Sequence, residues 1–131
     1  MADSDGTLLK VEGLRTHFFV PDGVVKAVDD VSFSLRPGEV LGLVGESGSG
    51  KSMTCRSIMR LVPAPGRIVG GHIFYQGEDI LTWSDSRLTR FRGSEVSMIL
   101  QEPMTALNPV LTIGEQIAET IVQHEHVSRK D

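Results

Sequence analysis

The chain has 131 residues, 40% of them hydrophobic, which suits one modest globular domain. Its net charge is −4 with acids and bases mixed along the chain, a pattern that argues against a surface built to coat nucleic acid. The single cysteine, Cys55, excludes an internal disulfide and is compatible with a reducing cytoplasm; no apolar run approaches the ~20 residues that span a bilayer, and the polar, acidic start (residues 1–6) is not a signal peptide.

Residues 8–14 alternate loosely and read as a strand. Phe18-Phe19-Val20 leads into Pro21-Asp22-Gly23, a turn in which proline presets φ and Asp-Gly tolerates the reversal. Residues 24–28 read as the returning strand, and 31–35 as a half-buried one. Arg36-Pro37-Gly38-Glu39 is a turn into Val40-Leu41-Gly42-Leu43-Val44, a short apolar run of the kind expected of a buried parallel strand. Residues 53–61 form a helix that Pro63-Ala64-Pro65-Gly66 ends, with Cys55 expected as a small packed residue on it. Gly70-Gly71 precedes a strand at 72–75, which turns at Gln76-Gly77. Residues 84–92 suit a short polar helix, and 96–100 a second apolar strand ended by Gln101-Glu102-Pro103. Asn108-Pro109 is a turn. Thr112-Ile113-Gly114-Glu115 has the form of a capping box, and Ile113, Ile117 and Ile121 mark a stripe expected to be buried. His17, His72, His124 and His126 are scattered without metal-ligand spacing.

Between the run at 40–44 and the helix stands Gly45-Glu46-Ser47-Gly48-Ser49-Gly50-Lys51-Ser52: glycine, four residues, then Gly-Lys-Ser. This is the phosphate-binding loop pattern, and it names a nucleoside triphosphate with magnesium. Its glycines let backbone N–H groups close on an anion without Cβ clashes. The following helix adds its free first-turn N–H groups and the positive end of its dipole. Lys51 is expected to reach the β- and γ-phosphates and Ser52 to ligate magnesium, with Glu46 turned away. Lys51 at a helix start opposes the dipole, and Ser52, Met53, Thr54 and Cys55 offer no acid to offset it; a bound polyphosphate resolves that conflict. A triphosphatase also needs an acid that ends an apolar strand and holds magnesium. The only candidate strand ends in Gln101-Glu102, with glutamine where an aspartate is required.

The whole pattern resembles the N-terminal half of an ABC transporter ATP-binding subunit, over residues 8–121. The residues that carry the likeness are Lys26-Ala27-Val28-Asp29-Asp30-Val31-Ser32-Phe33, Pro37-Gly38-Glu39, and the phosphate loop. Gln101-Glu102-Pro103-Met104-Thr105-Ala106-Leu107-Asn108-Pro109 is similar to the glutamine-loop region of the oligopeptide, dipeptide and nickel importer ATPases, as is the run at 66–81. The resemblance implies an α/β fold: the N-terminal half of a P-loop ATPase, a mixed sheet with an antiparallel β subdomain and the phosphate-loop helix. It implies that Phe18 stacks on adenine, with Phe19 the alternative, and that Gly45, Ser47, Gly48, Ser49, Gly50, Lys51, Ser52 and Thr54 contact the nucleotide. Lys51 and Gln101 would be catalytic, and Ser52 and Gln101 would touch magnesium. ATP and Mg2+ are the implied cofactors. The implied partners are the membrane permease subunits, faced by residues 104–116 (Met104, Leu107 and Leu111 included), and a second ATP-binding subunit; nucleic acid is not among them. The implied location is peripheral, on the cytoplasmic face of the membrane.

The family's Leu-Ser-Gly-Gly-Gln signature, its aspartate–glutamate pair and its switch histidine are absent and would lie beyond Asp131. Residues 1–131 are therefore expected to be one partial nucleotide-binding domain. Two functions remain open on the sequence: part of an importer ATPase for peptides or nickel, or a non-catalytic fragment that holds nucleotide weakly or not at all. A small-molecule kinase sharing the loop is disfavoured by the β-rich segment before it and by Gln101-Glu102-Pro103.

Overall fold

The computed structural model describes residues 6–102 and 106–125, which divide into two compact units meeting in sequence at Trp83 and Ser84. The first unit is a four-stranded sheet carrying one helix. Strand β1 (Leu9–Val20) pairs antiparallel with β2 (Gly23–Leu35) on one side and β3 (Gly66–Tyr75) on the other, and β4 (Glu78–Asp79) pairs with β3, giving the order β2-β1-β3-β4. Helix α1 (Lys51–Ile58) lies between β2 and β3 in sequence.

The strands run longer than the sequence pattern suggests, because bulges let them continue past residues that break alternation. Val11 and Leu14 are both buried although three residues apart. The register shifts between them account for this: Gly13 adopts φ 56° and an extra residue is absorbed there. Residues 24–28 and 31–35 join in the same way into β2, with Asp30 at φ 62°. Gly70-Gly71, expected before β3, stands inside it. Gly71 has φ 86°, and a Cβ there would lie 2.4 Å from the Gly13 carbonyl oxygen, so only glycine lets β3 approach the β1 bulge. Val20 pairs with Gly23 across the two-residue turn at Pro21-Asp22.

Val11, Leu14, Val28, Met59, Ile73, Tyr75 and Ile80 form the core of the first unit. At its edge Asp79 caps the 3-10 turn Ile80–Thr82: its side chain accepts from the Leu81 N–H at 3.0 Å and meets His72 Nδ1 at 2.8 Å. Partial burial opposes ionisation of this carboxyl, but the hydrogen bonds from His72, Leu81 and Ile73, with the charge of His72, outweigh it and hold the pKa below the ordinary 3.8. A carboxyl depressed in the folded state stabilises the fold above its unfolded pKa, and that contribution is lost as pH falls through the folded value. Wild type is therefore expected to lose more stability than Asp79→Asn on acidification from about pH 5 to about pH 2.5. Parallel urea-midpoint curves for the two proteins would contradict this.

In the second unit Ser84 caps α2 (Asp85–Arg90), which runs into a kinked turn through Phe91–Glu95; Leu88 and Phe91 are its buried residues. Helix α3 (Ile113–Glu125) begins at the capping box read in the sequence. Thr112 N–H donates to Glu115 Oε2 at 2.9 Å, and Glu115 N–H donates to Thr112 Oγ1 at 3.2 Å. Thr112→Ala should cost about 1 kcal/mol and speed amide exchange in the first turn of α3. Unchanged exchange at Glu115 would rule that out.

Three expectations fail. Residues 40–44 are not a strand: Val40 is 95% and Val44 91% exposed, and no described strand pairs with them. Residues 96–100 yield only a bridge between Arg92 and Val96, with Ile99 93% exposed. A parallel strand exists only through ladder partners, often distant in sequence, so apolar composition alone does not make one. The third failure is the isoleucine stripe of α3: Ile113, Ile117 and Ile121 are all exposed, and the helix buries no residue among those described.

Candidate functional site

The phosphate loop is the exposed segment that leads into α1. Its tip is a turn closed by Ser49 N–H donating to the Glu46 carbonyl at 3.2 Å, with Gly48 at φ 79° in the third position, the conformation a type II turn demands there. Gly50 follows as N-cap of α1 in the left-handed region, φ 95°. A Cβ on Gly50 would stand 2.2 Å from the Ala27 carbonyl oxygen. The helix N-terminus is thus seated on the backbone of β2, a contact only glycine permits.

No side chain caps this helix start, and its first turn holds no acid. The first-turn N–H groups are left as donors to an anion. Lys51 lies back across its own loop: Nζ donates to the carbonyls of Gly45 at 2.8 Å and Glu46 at 2.6 Å, and to Ser49 Oγ at 3.3 Å. Phosphate oxygens would offer the same ammonium charge-assisted bonds, stronger than those to neutral carbonyls. The side chains of Ser47 and Ser52 belong to exposed residues. Thr54 is different: it is buried and its hydroxyl donates to the Gly50 carbonyl at 3.0 Å, bracing the loop–helix junction. Cys55, expected to be packed, is exposed, because it lies on the face of α1 turned away from the sheet.

The face of α1 that meets the sheet is fixed by a hydroxyl pair. Thr16 Oγ1 on β1 and Ser57 Oγ on α1 lie 2.8 Å apart, both fully buried. Two residues beyond Thr16, Phe18 is half-buried on the same side of β1; a Cβ on Gly66 would lie 2.7 Å from its ring and 2.9 Å from Val62, just past α1. Phe19 points the other way, with the Arg67 guanidinium 4.2 Å above its ring centroid. An open cleft of about 350 Å3, lined by Arg60, Val62, Gly66, Arg67, Ile68 and Leu81, lies at the C-terminal end of α1 and includes none of the loop residues.

Phe18 and residues 45–54 both belong to the first unit, the loop at the start of α1 and Phe18 beside Gly66, past the end of α1. Gln101 belongs to the second, where it is exposed in a bend. Met104 lies outside the described residues, and Leu107 and Leu111 are exposed. Sequence reasoning missed the Thr16–Ser57 pair, since two small hydroxyls forty-one positions apart carry no motif. It also gave no role to Ala27, whose carbonyl seats Gly50.

Ser52, exposed at the start of α1, offers one hydroxyl that could take part in holding magnesium beside a triphosphate. That suits a small hard cation that keeps several waters and takes one or two protein groups plus substrate phosphates.

Comparison with known proteins gives the site its setting. A family model described as ABC transporter matches residues 28–130. The chain is 49% identical over 126 residues to the oligopeptide transport ATP-binding protein AppD of Bacillus subtilis, an alignment covering 95% of this chain and 38% of AppD. It is 48% identical over 124 residues to the oligopeptide transport ATP-binding protein OppD of Escherichia coli, covering 95% and 36% respectively. Among solved structures, a dimeric bacterial ABC transporter cassette superposes with a TM-score of 0.79 at 21% identity, over 92% of this chain and 49% of that one. The same cassette in a post-hydrolysis state bound to ADP and Pi gives 0.75 at 20% identity, with the same coverage. At that identity the likeness speaks for the fold: the α/β architecture of an ABC cassette's N-terminal half. The chain spans less than two-fifths of the length of these curated relatives.

Proposed function

The chain belongs to the ABC transporter family, and from that membership we propose that it is the nucleotide-binding part of an ATP-binding subunit serving an importer of peptides or of nickel. The observation that carries this reading is the phosphate loop itself, seated by Gly50 on Ala27 at the uncapped start of α1, with Lys51 laid across it. The peptide assignment draws on the relatives named for oligopeptide transport.

In this reading residues 1–131 are one partial nucleotide-binding domain. The N–H groups of residues 45–52 and the Lys51 ammonium hold the β- and γ-phosphates, with Ser47, Ser49 and Thr54 completing the loop. Phe18 stacks on adenine. What favours it over Phe19 is that the Phe19 ring already carries Arg67 on one face, while Phe18 stands on the α1 side of the sheet. Magnesium, held by Ser52 and touched by Gln101, would neutralise charge on the phosphates. In the full subunit, hydrolysis is in-line attack of water on the γ-phosphate, which breaks the bond to the β–γ bridging oxygen and releases ADP, inorganic phosphate and a proton; Lys51 and the loop amides stabilise the charge that develops, and Gln101 orients the water. Residues 104–116 face the permease, a second ATP-binding subunit completes the nucleotide sandwich, and the assembly sits peripherally on the cytoplasmic membrane face. No helix among the described residues is long and apolar enough to cross a membrane.

These 131 residues contain the phosphate loop and Gln101 but no Asp-Glu pair. The purified chain is therefore expected to bind Mg-ATP and to release phosphate no faster than buffer. Robust turnover that Lys51→Ala abolishes would show that the chain carries its own catalytic acid and overturn this division of roles.

A further inference from the structure

We propose that the buried Thr16–Ser57 hydroxyl pair is a positioning device: it sets the placement of the base platform, Phe18, relative to the phosphate cradle, and so governs how much of the chain's affinity for ATP comes from the base. The inference rests on the reading that the loop binds Mg-ATP and that Phe18 stacks on adenine.

Two contacts anchor helix α1 on the β1–β2 hairpin. Gly50 rests on the Ala27 carbonyl of β2, and Ser57 bonds to Thr16 of β1. These anchors are close on the sheet, since Thr16 pairs with Val28, the residue after Ala27. With the Gly50 anchor alone, the helix could pivot about its own N-terminus. The second anchor, about 10 Å further along the axis, removes that freedom. Thr16 and Phe18 share one face of β1, about 7 Å apart, so the bond that holds Ser57 also holds the strand segment bearing the ring. The phosphate cradle belongs to the start of α1 and the ring to β1, and Thr16–Ser57 is the polar link between them.

The direction of the bond follows from the donors available. Ser57 O–H donates to the Met53 carbonyl at 2.7 Å, so its single proton is committed. Thr16 must then be the donor and Ser57 Oγ the acceptor. Removing the acceptor (Ser57→Ala) strands a buried Thr16 O–H. Removing the donor (Thr16→Val) leaves Ser57 bonded to Met53 and keeps the side-chain shape. Replacing both leaves two apolar groups in contact and nothing stranded. Ser57→Ala should therefore disturb the anchor most, Thr16→Val less, and the double variant should recover toward Thr16→Val.

The test uses the full 131-residue chain and two probes that share the cradle: Mg-ATP, and magnesium tripolyphosphate, which has no base. Affinities are measured by calorimetry for wild type, Ser57→Ala, Thr16→Val, the double variant, and Phe18→Ala as the base-stacking reference. Phe18→Ala is expected to weaken ATP about ten-fold. Ser57→Ala is expected to weaken ATP about five-fold while tripolyphosphate stays within about two-fold of wild type, because the loop and α1 remain intact. Recovery in the double variant completes the expected pattern. An equal loss on both probes, or no loss on either, overturns the proposal: the pair is then only a packing contact. If Ser57→Ala does not fold, the isosteric Thr16→Val carries the same comparison. Wild type binding tripolyphosphate as tightly as ATP removes the base platform and the inference with it. Wild type binding neither probe overturns the nucleotide reading as a whole.

Discussion

Gly50→Ala is expected to destabilise the first unit by on the order of 3 kcal/mol and to abolish measurable Mg-ATP binding. Two independent costs combine. The residue sits at φ 95°, where an L side chain is strained, and its new Cβ would stand 2.2 Å from the Ala27 carbonyl oxygen. The obstacle is backbone rather than the far end of a side chain: Ala27 is the bulged residue of β2, held between the Val28–Thr16 and Lys26–His17 pairs. The helix start must lift off β2, carrying the first-turn amides away from the loop. For a unit of this size the destabilisation corresponds to a fall in melting temperature of more than ~10 °C. The contrast is Gly48→Ala, equally strained in φ at 79° but with no atom within 4 Å of the new Cβ, which should cost only about 1 kcal/mol. Thermal melts that rank the two variants equally would show that the contact with Ala27 is not what seats the helix.

Lys51→Ala is expected to leave the fold standing and to weaken Mg-ATP binding roughly 30-fold, the worth of a charge-assisted bond at a site already rich in amide donors. Among the described residues the lysine bonds to the carbonyls of Gly45 and Glu46 and to Ser49 Oγ, all within its own loop. Its loss removes a cation from a helix start that it opposes electrostatically, so the melting temperature should be unchanged or slightly raised. Equal ATP affinities for wild type and variant by calorimetry would show that nucleotide, if bound, binds elsewhere.

What could be read in the sequence was local. The phosphate loop, the Pro21-Asp22 turn and the Thr112–Glu115 capping box each depend on residues a few positions apart, and each stands where the sequence places it. The loop's Lys51 and first-turn amides follow from the same short string. What could not be read depended on residues far apart. Whether 40–44 and 96–100 become strands is decided by neighbours, and a hydrophobicity pattern is silent about whether those are in place. Likewise the spacing of Ile113, Ile117 and Ile121 correctly marks one face of α3 but cannot say what covers it. Bulges at Gly13 in β1 and at Val69 in β3 hid the length of the two strands, since each extra residue reverses the alternation that identifies a strand. Within the candidate site, the position of the loop was legible and its mounting was not: the seat of Gly50 on Ala27 and the Thr16–Ser57 bond are tertiary contacts between segments that share no motif.

The apolar surface exposed at 40–44, 96–100 and along α3 predicts how the isolated chain behaves. Large apolar side chains exposed to water in this way invite association. The purified chain should therefore self-associate at micromolar concentration, and replacing Val40 and Val44 by lysine should reduce that association, as judged by sedimentation. No change on substitution would place the sticky surface elsewhere.

The most direct test of the central claim, that residues 45–52 are a nucleotide-phosphate cradle, is an NMR titration of the 15N-labelled chain with Mg-ATP. The largest amide shifts are expected at Gly45 through Ser52, with a second set at and around Phe18 that tripolyphosphate does not reproduce. Saturable shifts confined to other residues, or none in the loop at millimolar nucleotide, would contradict it.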